Sequence, residues 1–326
     1  MRSENTFSSA AQQFVKEHAS AKTRRWKETA RLLGLSPLDL ETIPGGLADR
    51  WHDKPITEIS TDDVYALVDE ARRQGIPGIG RRNTGLSEAR ARAMFSCLSK
   101  MFAWLVGHRR TKTNPCIGIS RPAAPPARER VLSDSEIRWF WRACDTLGSP
   151  FGPLLKILLV TGARLNEVAQ MTRHELSEDG STWMLSGART KNRRSHTLVL
   201  PQLAQEILGE VKVISSEAAI LFSTNGRTHV SGFSKMKARL DREMQALAGK
   251  EIPQWRLHDL RRTAATGMAR AGADLHVIER ALNHVSGSFG GIVAVYQRHK
   301  FEVEVKDALG AWSRLLCSIV NTEQEI

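Results

Sequence analysis

The sequence predicts a mainly α-helical chain with a small antiparallel sheet, divided into an all-α N-terminal domain and a mixed α+β C-terminal domain. The 326 residues are about twice the ~150 residues typical of one domain. Stretches of helical periodicity dominate, and only two short segments, 182–186 and 196–200, have the pattern of strands. Hydrophobic residues make up 41% and charged residues 25% of the chain, which is ordinary for globular proteins and argues against a disordered chain.

Helical periodicity in the N-terminal part predicts helices at about 8–19 and 22–33, and two longer helices at 60–74 and 87–107. Glycine lies at or just after the ends of the last three, because glycine readily adopts the left-handed conformation that closes a helix. The fourth helix has an apolar stripe at i, i+4 and i+7 spacing, which predicts a buried face. Its members are Met94, Leu98, Met101, Phe102 and Leu105.

The helical pattern is interrupted by a proline-rich segment, RPAAPPAR at 121–128. Proline lacks a backbone N–H donor and disfavours helical geometry in the preceding residue. The segment therefore predicts an extended linker. We place the N-terminal domain at 1–120, the linker at 121–130 and the C-terminal domain at 131–326.

The C-terminal part begins with a capping-box spacing, Ser133 followed by Glu136, which predicts the start of a helix. An apolar helix follows at 151–161, and the two strand-like segments then flank a polar, basic turn that indicates a hairpin. The rest of the pattern is mostly helical and ends in an amphipathic segment at 303–320.

The chain is basic, with 47 Lys and Arg against 35 Asp and Glu, a net charge of +12 and a pI near 9.9. This excess favours a polyanionic partner, although a merely basic enzyme would share it. Clusters of basic residues recur in the small helical domain and predict a surface that tracks phosphates, since each contact releases counterions. The candidate nucleic-acid contacts are Lys22, Arg24, Arg25, Lys27, Arg81, Arg82, Arg90, Arg92, Arg193 and Arg194.

The four cysteines are scattered along the chain, without the short spacing that a zinc site needs. Such scatter fits a reducing compartment. The N-terminus lacks the apolar core of a signal peptide, and no stretch approaches the ~20 apolar residues of a membrane span. We expect a cytoplasmic protein with no membrane partner, no metal and no cofactor.

The candidate residues for chemistry are weak signals one by one. An HxxR pair, a basic turn or a lone histidine often occurs without a catalytic function. Tyrosine is scarcer, because the chain has only two, and Tyr65 lies in a helical pattern where we expect it to pack. The order of the candidates is more specific: Arg, Lys, His-x-x-Arg, His, Tyr. It is carried by TGARLNE at 161–167, Lys191, HDLRR at 258–262, ALNH at 281–284 and IVAVYQRH at 292–299.

This ordered series resembles the tyrosine recombinase, or phage integrase, family over about residues 131–300. The resemblance implies an integrase catalytic domain at 131–326, preceded by the family's helical core-binding domain, with no room before it for an arm-binding domain. Asn283 stands where the family often has glycine, and asparagine tolerates the left-handed conformation. The segment after His284 is a few residues longer than the commonest form. The catalytic residues implied are Arg164, Lys191, His258, Arg261, His284 and Tyr296.

These residue types suit the cleavage of a phosphodiester, whose anionic oxygens repel a nucleophile until their charge is neutralised. The guanidinium groups of Arg164 and Arg261 can bind a phosphate through bidentate hydrogen bonds. His258 and His284 add hydrogen bonds, and a histidine can exchange protons near neutral pH.

The resemblance implies that Tyr296 attacks phosphorus and forms a 3′-phosphotyrosyl bond, which conserves the bond energy without ATP. Lys191, on a flexible hairpin, is the candidate acid for the leaving 5′ oxygen. Glu167 is expected to orient Arg164 by ion pairing. No paired acidic cluster accompanies these residues, so we predict a metal-independent reaction.

The predicted function is site-specific recombination of double-stranded DNA by an integrase of prokaryotic or phage type, encoded by a mobile element and associated with the nucleoid. The resemblance implies a tetramer on paired sites and allows DNA-bending or directionality accessory proteins. The C-terminal segment could dock on its own domain or on a neighbouring protomer. The alternatives are a non-catalytic DNA-binding relative, a type IB topoisomerase that relaxes supercoils, and a metal-dependent nuclease. The last would need paired carboxylates, and the six filled reactive positions argue against the first.

Overall fold

The protein consists of two compact units, 1–127 and 128–326, each with its own hydrophobic core. We call them the N-terminal and the C-terminal unit. The structure is a computed structural model, and it describes residues 5–80, 85–126, 128–212, 214, 219–284 and 301–322. Within these ranges, no helix combines the length and the apolarity that crossing a bilayer requires.

The described part of the N-terminal unit is helical. A π-helical segment, Val15–Ala19, joins the first two helices, so the first predicted helix continues to Lys22. Thr23 then adopts an extended conformation, and the second predicted helix begins at Trp26, four residues later than expected. The helices are α1 (Phe7–Phe14), α2 (Ser20–Lys22), α3 (Trp26–Leu32), α4 (Leu47–Arg50), α5 (Thr61–Arg73) and α6 (Glu88–Gly107).

The two longer predicted helices of this unit are confirmed as α5 and α6. A capping box starts α5, because the Ser60 hydroxyl accepts a hydrogen bond from Asp63 N–H (3.1 Å) and the Asp63 carboxylate accepts one from Ser60 N–H (2.8 Å). The α5 helix packs against α6. The predicted apolar stripe of α6 is buried in the core of the unit.

The C-terminal unit combines a small hairpin with helices. The first helix begins at the predicted capping box, and the second has the predicted bounds. Both strands lie within the predicted segments and pair antiparallel, with Thr182 opposite Val199 and Leu185 opposite His196. The elements are α7 (Asp134–Leu147), α8 (Phe151–Thr161), α9 (Leu165–Ala169), β1 (Thr182–Leu185), β2 (His196–Val199), α10 (Gln202–Gly209), α11 (Phe233–Ala248), α12 (Leu257–Arg270), α13 (Leu275–Ala281) and α14 (Glu302–Asn321).

Gly162 ends the buried helix α8 and brings its C-terminus close to the end of α13. Its φ of +63° is left-handed, a conformation that glycine adopts without strain. A Cβ at this position would lie 2.7 Å from Cδ2 of Leu282. The close approach therefore requires glycine. This approach places the Gly162 carbonyl, and Arg164 two residues later, beside residues 281–284.

The C-terminal helix α14 docks on its own unit in this chain. Trp312 is 1% exposed, and its indole N–H donates a hydrogen bond to the Leu159 carbonyl in α8 (3.1 Å). Its ring also covers Gly267 of α12, where a Cβ would lie 2.3 Å from the ring. These contacts are in cis, and docking on a neighbouring protomer stays a prediction.

Candidate active site

Three consecutive backbone carbonyls at the end of α13, those of Ala281, Leu282 and Asn283, form the centre of the candidate site. We call these residues the carbonyl turn. Asn283 has a φ of +51°, which confirms the left-handed conformation expected from the sequence. The last carbonyls of a helix lack partners within the helix and carry partial negative charge. They are therefore ready acceptors for cationic side chains from elsewhere in the unit.

Arg261 is the most deeply buried cation of the site, with 5% of its surface exposed. It donates hydrogen bonds to the Leu282 carbonyl (2.6 Å) and to the Gly162 carbonyl (2.7 Å). Burial, followed by the positive charge of Arg164, lowers the pKa of Arg261 to about 10. The group stays charged at neutral pH, and its hydrogen bonds within the described residues end on carbonyls that do not cancel that charge.

Arg164 precedes α9 and lies half-buried beside Arg261. Its guanidinium donates to the Asn283 carbonyl (3.3 Å) and to the Glu167 carboxylate (2.9 Å). The same carboxylate accepts a hydrogen bond from the Arg164 backbone N–H (3.0 Å). Glu167 is 6% exposed, and it pairs with Arg164 as the sequence predicted.

The predicted hairpin lysine, Lys191, is exposed in the turn between β1 and β2. The flexibility expected of this hairpin stays a prediction, and the structure shows tertiary hydrogen bonds on both sides of Lys191. Arg189 donates to the Glu175 carboxylate (2.7 and 2.9 Å) and to the Glu167 carbonyl (3.0 Å). On the other side of Lys191, the Asn192 amide donates to the carbonyl turn.

His258 lies on the same helix as Arg261, and His284 directly follows the carbonyl turn. Partial burial is the largest cause of the lowered pKa of both histidines, although both side chains keep exposed surface. Nearby arginines lower both pKa values further. The pKa of His284 falls to about 4, with Arg261, Arg164 and His258 as its positive neighbours. Both imidazoles are therefore neutral at pH 7.

His196, on β2, is a further site residue that sequence reasoning missed. Its Nε2 donates to the Ala281 carbonyl (3.1 Å), because a carbonyl oxygen can only accept. Burial is the largest cause of its lowered pKa, and the charges of Arg261 and Arg164 lower the pKa further. The hydrogen bond to Ala281 and the charge of Glu167 act in the opposite direction. No local motif marks this residue, since its partner lies 85 positions away in the chain.

The structure thus brings Arg164, Arg261, His258 and His284 together at the end of α13, with Lys191 in the adjacent hairpin. Tyr296 lies outside the described residues. No group of three or more metal-ligating side chains occurs in the described part of the chain.

The predicted nucleic-acid contacts are placed in different environments. Four of them are exposed around the turn between α2 and α3: Lys22, Arg24, Arg25 and Lys27. Arg193 and Arg194 are exposed in the hairpin, whereas Arg90 and Arg92 are half-buried. Arg92 donates a hydrogen bond to the Pro122 carbonyl of the predicted linker (2.6 Å). Arg81 and Arg82 lie outside the described residues.

Comparison with known proteins places this site in a family. The sequence profile of the phage integrase family matches residues 130–302. Tyrosine recombinase XerH of Campylobacter jejuni is 22% identical over 157 residues, which are 48% of this chain and 44% of that protein. Tyrosine recombinase XerD of Caulobacter vibrioides is 23% identical over 261 residues, covering 76% of this chain and 79% of that protein.

The fold is shared with a solved integrase. A lambda integrase tetramer bound to a Holliday junction has a TM-score of 0.61 at 16% identity, with 89% of this chain and 80% of that chain covered. The family profile covers more than half of the chain and includes the two arginines, the hairpin lysine and both histidines. The chain therefore belongs to the phage integrase family, the tyrosine recombinases.

Proposed function

We propose that this chain is a site-specific DNA recombinase that breaks and rejoins DNA through a 3′-phosphotyrosyl intermediate. The observation that carries the proposal is the placement of Arg164 and Arg261, which donate to consecutive carbonyls of the carbonyl turn. Arg164 pairs with Glu167, whereas the described hydrogen bonds of Arg261 end on backbone carbonyls, so the two adjacent guanidinium groups together keep a positive charge. A scissile phosphate would neutralise that charge and accept bidentate hydrogen bonds from both.

The histidines fit the proton transfers of this reaction. With its pKa lowered, His258 is neutral at pH 7 and can accept the phenolic proton of Tyr296. The Tyr296 oxygen then bonds to phosphorus, the bond from phosphorus to the 5′ oxygen breaks, and the Lys191 ammonium gives that oxygen a proton. Attack by a second 5′-hydroxyl reverses these steps on a new partner strand, so the reaction needs neither ATP nor a metal ion.

DNA contacts and assembly complete the proposal. The exposed cations between α2 and α3 would contact phosphates, in a core-binding domain formed by the N-terminal unit. Lambda integrase has been solved as a tetramer bound to a Holliday junction, which supports a tetramer on paired sites for this chain. Double-stranded DNA is the proposed substrate, accessory DNA-bending or directionality proteins are candidate partners, and the cytoplasmic nucleoid is the proposed location.

A covalent-adduct assay tests the nucleophile. The protein is incubated in EDTA, without ATP, with duplex DNA that carries a target site nicked next to the cleavage point. We expect a denaturation-resistant protein–DNA adduct from the wild type and none from Tyr296→Phe, with DNA binding retained. Tyr65→Phe is the matched control, because it removes the only other tyrosine hydroxyl and should leave the adduct unchanged.

Two outcomes would contradict the proposal. An adduct formed by Tyr296→Phe would remove Tyr296 from its role, and a strict requirement for Mg²⁺ would refute the metal-free reaction. Strand exchange is measured separately on a supercoiled plasmid that carries two sites. Relaxation without a recombinant product would indicate a topoisomerase.

A further inference from the structure

The hairpin that carries Lys191 is attached to the C-terminal unit on both sides of that residue. Two positions before it, Arg189 binds Glu175 and the end of α9. One position after it, the Asn192 amide N–H group donates to the side-chain oxygen of Asn283 (2.6 Å) and to the Asn283 backbone carbonyl (3.2 Å). The second attachment ends on the same carbonyl that receives Arg164.

The hydrogen-bond network fixes the direction of both amides. The Asn192 side-chain oxygen accepts a hydrogen bond from Arg194 N–H (3.1 Å), so its NH₂ group must face Asn283. The Asn283 backbone carbonyl can only accept, which agrees with that direction. The near atom of the Asn283 side chain must then also be an acceptor, its amide oxygen. Its NH₂ group is buried without an acceptor among the described residues.

We propose that the Asn192–Asn283 pair is a latch that positions the Lys191 ammonium over the leaving oxygen, next to the phosphate held by Arg164 and Arg261. The inference rests on the proposed function and deepens it, by giving two amide side chains the role of positioning residues. Because Asn283 accepts from both Arg164 and Asn192, the turn that orients the phosphate also sets the position of the acid.

Two substitutions act on the latch from opposite sides. Asn283→Gly keeps the left-handed backbone, which glycine adopts without strain, and removes the side-chain acceptor at 2.6 Å, so that the Asn192 amide keeps only the backbone carbonyl at 3.2 Å. Asn192→Ala removes the donor and with it both bonds. If both act through the bond between them, the double variant will be no slower than the slower single variant. Asn225→Ala is the matched control, because its amide oxygen likewise accepts turn N–H groups (2.9 Å) in the loop at 223–228.

A second substrate, with sulfur in place of the leaving 5′ oxygen, separates a loss of acid positioning from a general loss of folded structure. The rate of cleavage is compared on the two substrates. A thiolate is a weak base with a conjugate acid of pKa ≈ 8.5, so it leaves without a proton from Lys191. On ordinary DNA we expect Lys191→Ala to slow cleavage about 100-fold or more, and each latch variant about 10- to 100-fold. On the sulfur substrate all three should cleave within about threefold of the wild type.

The result that would overturn the latch is specific. If Lys191→Ala is rescued by sulfur but Asn283→Gly and Asn192→Ala are slowed equally on both substrates, the pair stabilises the fold and does not position the acid. Unchanged rates on ordinary DNA, or additive losses in the double variant, would also refute it. Failure of the wild type to cleave either substrate would instead refute the proposed function.

Discussion

The cations of the two units lie in opposite surroundings. Arg261 of the C-terminal unit is 5% exposed and donates to two backbone carbonyls. Lys22, Arg25 and Lys27 of the N-terminal unit are exposed, and Arg25 lies 3.5 Å from the exposed Glu28 carboxylate, a pair that solvent screens. In the proposed function, a buried cation on fixed dipoles is preorganised for one phosphate before DNA binds. An exposed cation on a long side chain is suited to any phosphate within reach.

Arginines that pair with a carboxylate away from the carbonyl turn form a third group and serve as controls for both. Arg164 is not among them, because it pairs with Glu167 and also donates to the Asn283 carbonyl. Arg50 in the N-terminal unit binds the Glu70 carboxylate (2.7 Å). Arg262, the neighbour of Arg261, pairs with the buried Asp259. Their charge is largely neutralised within the fold, so the comparison predicts that their replacement changes neither cleavage nor the salt dependence of binding.

The largest expected effect is on cleavage by Arg261→Lys. Lysine keeps the charge but cannot donate to Leu282 and Gly162 while also making a bidentate contact with phosphate. We expect adduct formation to slow about 100- to 1,000-fold, the usual effect of losing one preorganised donor. Arg262→Lys is the control and should cleave at nearly the wild-type rate. Equal rates for the two variants would contradict the contrast between Arg261, which binds carbonyls, and Arg262, which pairs with a carboxylate.

An intermediate effect is expected on DNA binding by Lys22→Ala with Lys27→Ala. If each lysine contacts one phosphate, the slope of log affinity against log salt should decrease by about 0.9 per contact, or about 1.8 in total. The loss should be the same for specific and unrelated DNA, because phosphate contacts carry no sequence information. Fluorescence anisotropy over a range of salt concentrations measures the slope.

The control for the binding experiment removes two cations that already have partners. Arg50→Ala with Arg73→Ala takes the same charge from pairs with Glu70 and Asp69. If this control lowers the slope as much as the lysine variant does, the effect comes from net charge, and the exposed lysines are not phosphate contacts.

The smallest expected effect is on the pH dependence of stability. The folded C-terminal unit lowers the pKa of His258, His196 and His284, the last to about 4. The unfolded chain therefore binds more protons, and stability, complete above about pH 6.5, should fall as the pH decreases towards 4. We expect His284→Gln, which cannot titrate, to reduce the fall in melting temperature between pH 7 and 5. An unchanged profile would show that His284 is not held neutral by the fold.

Local patterns predicted most of the elements. The apolar stripe of α6 and the capping box at Ser133 are encoded within a few residues, so α6 and α7 begin where the sequence indicates. The short helices α4 and α9 and the turn before α3 were missed. Helices α10 to α13 were expected only as a mostly helical region without bounds.

The candidate site was only partly predictable. The order of reactive residues predicted a set of catalytic side chains, of which the structure brings Arg164, Arg261, His258 and His284 together. The left-handed Asn283 followed from its residue type. The contacts that hold these side chains could not be predicted, because Asn192 and Asn283 are 91 positions apart and Arg261 and Gly162 are 99 positions apart. The sequence pattern also gave no sign that Arg189, in the basic turn, binds Glu175 and the Glu167 carbonyl of α9.

The carbonyl turn has a consequence for how this protein tolerates substitution. Its acceptors are main-chain oxygens, so the hydrogen bonds from His196, Arg261 and Arg164 do not depend on which side chains stand at 281 and 282. Saturation mutagenesis should find these two positions limited by volume alone, as in any apolar core. Position 283 should instead accept few residues, because it needs both a left-handed backbone and an amide oxygen. The geometry of the site thus depends on main-chain atoms, and substitutions in the surrounding sequence should change it least.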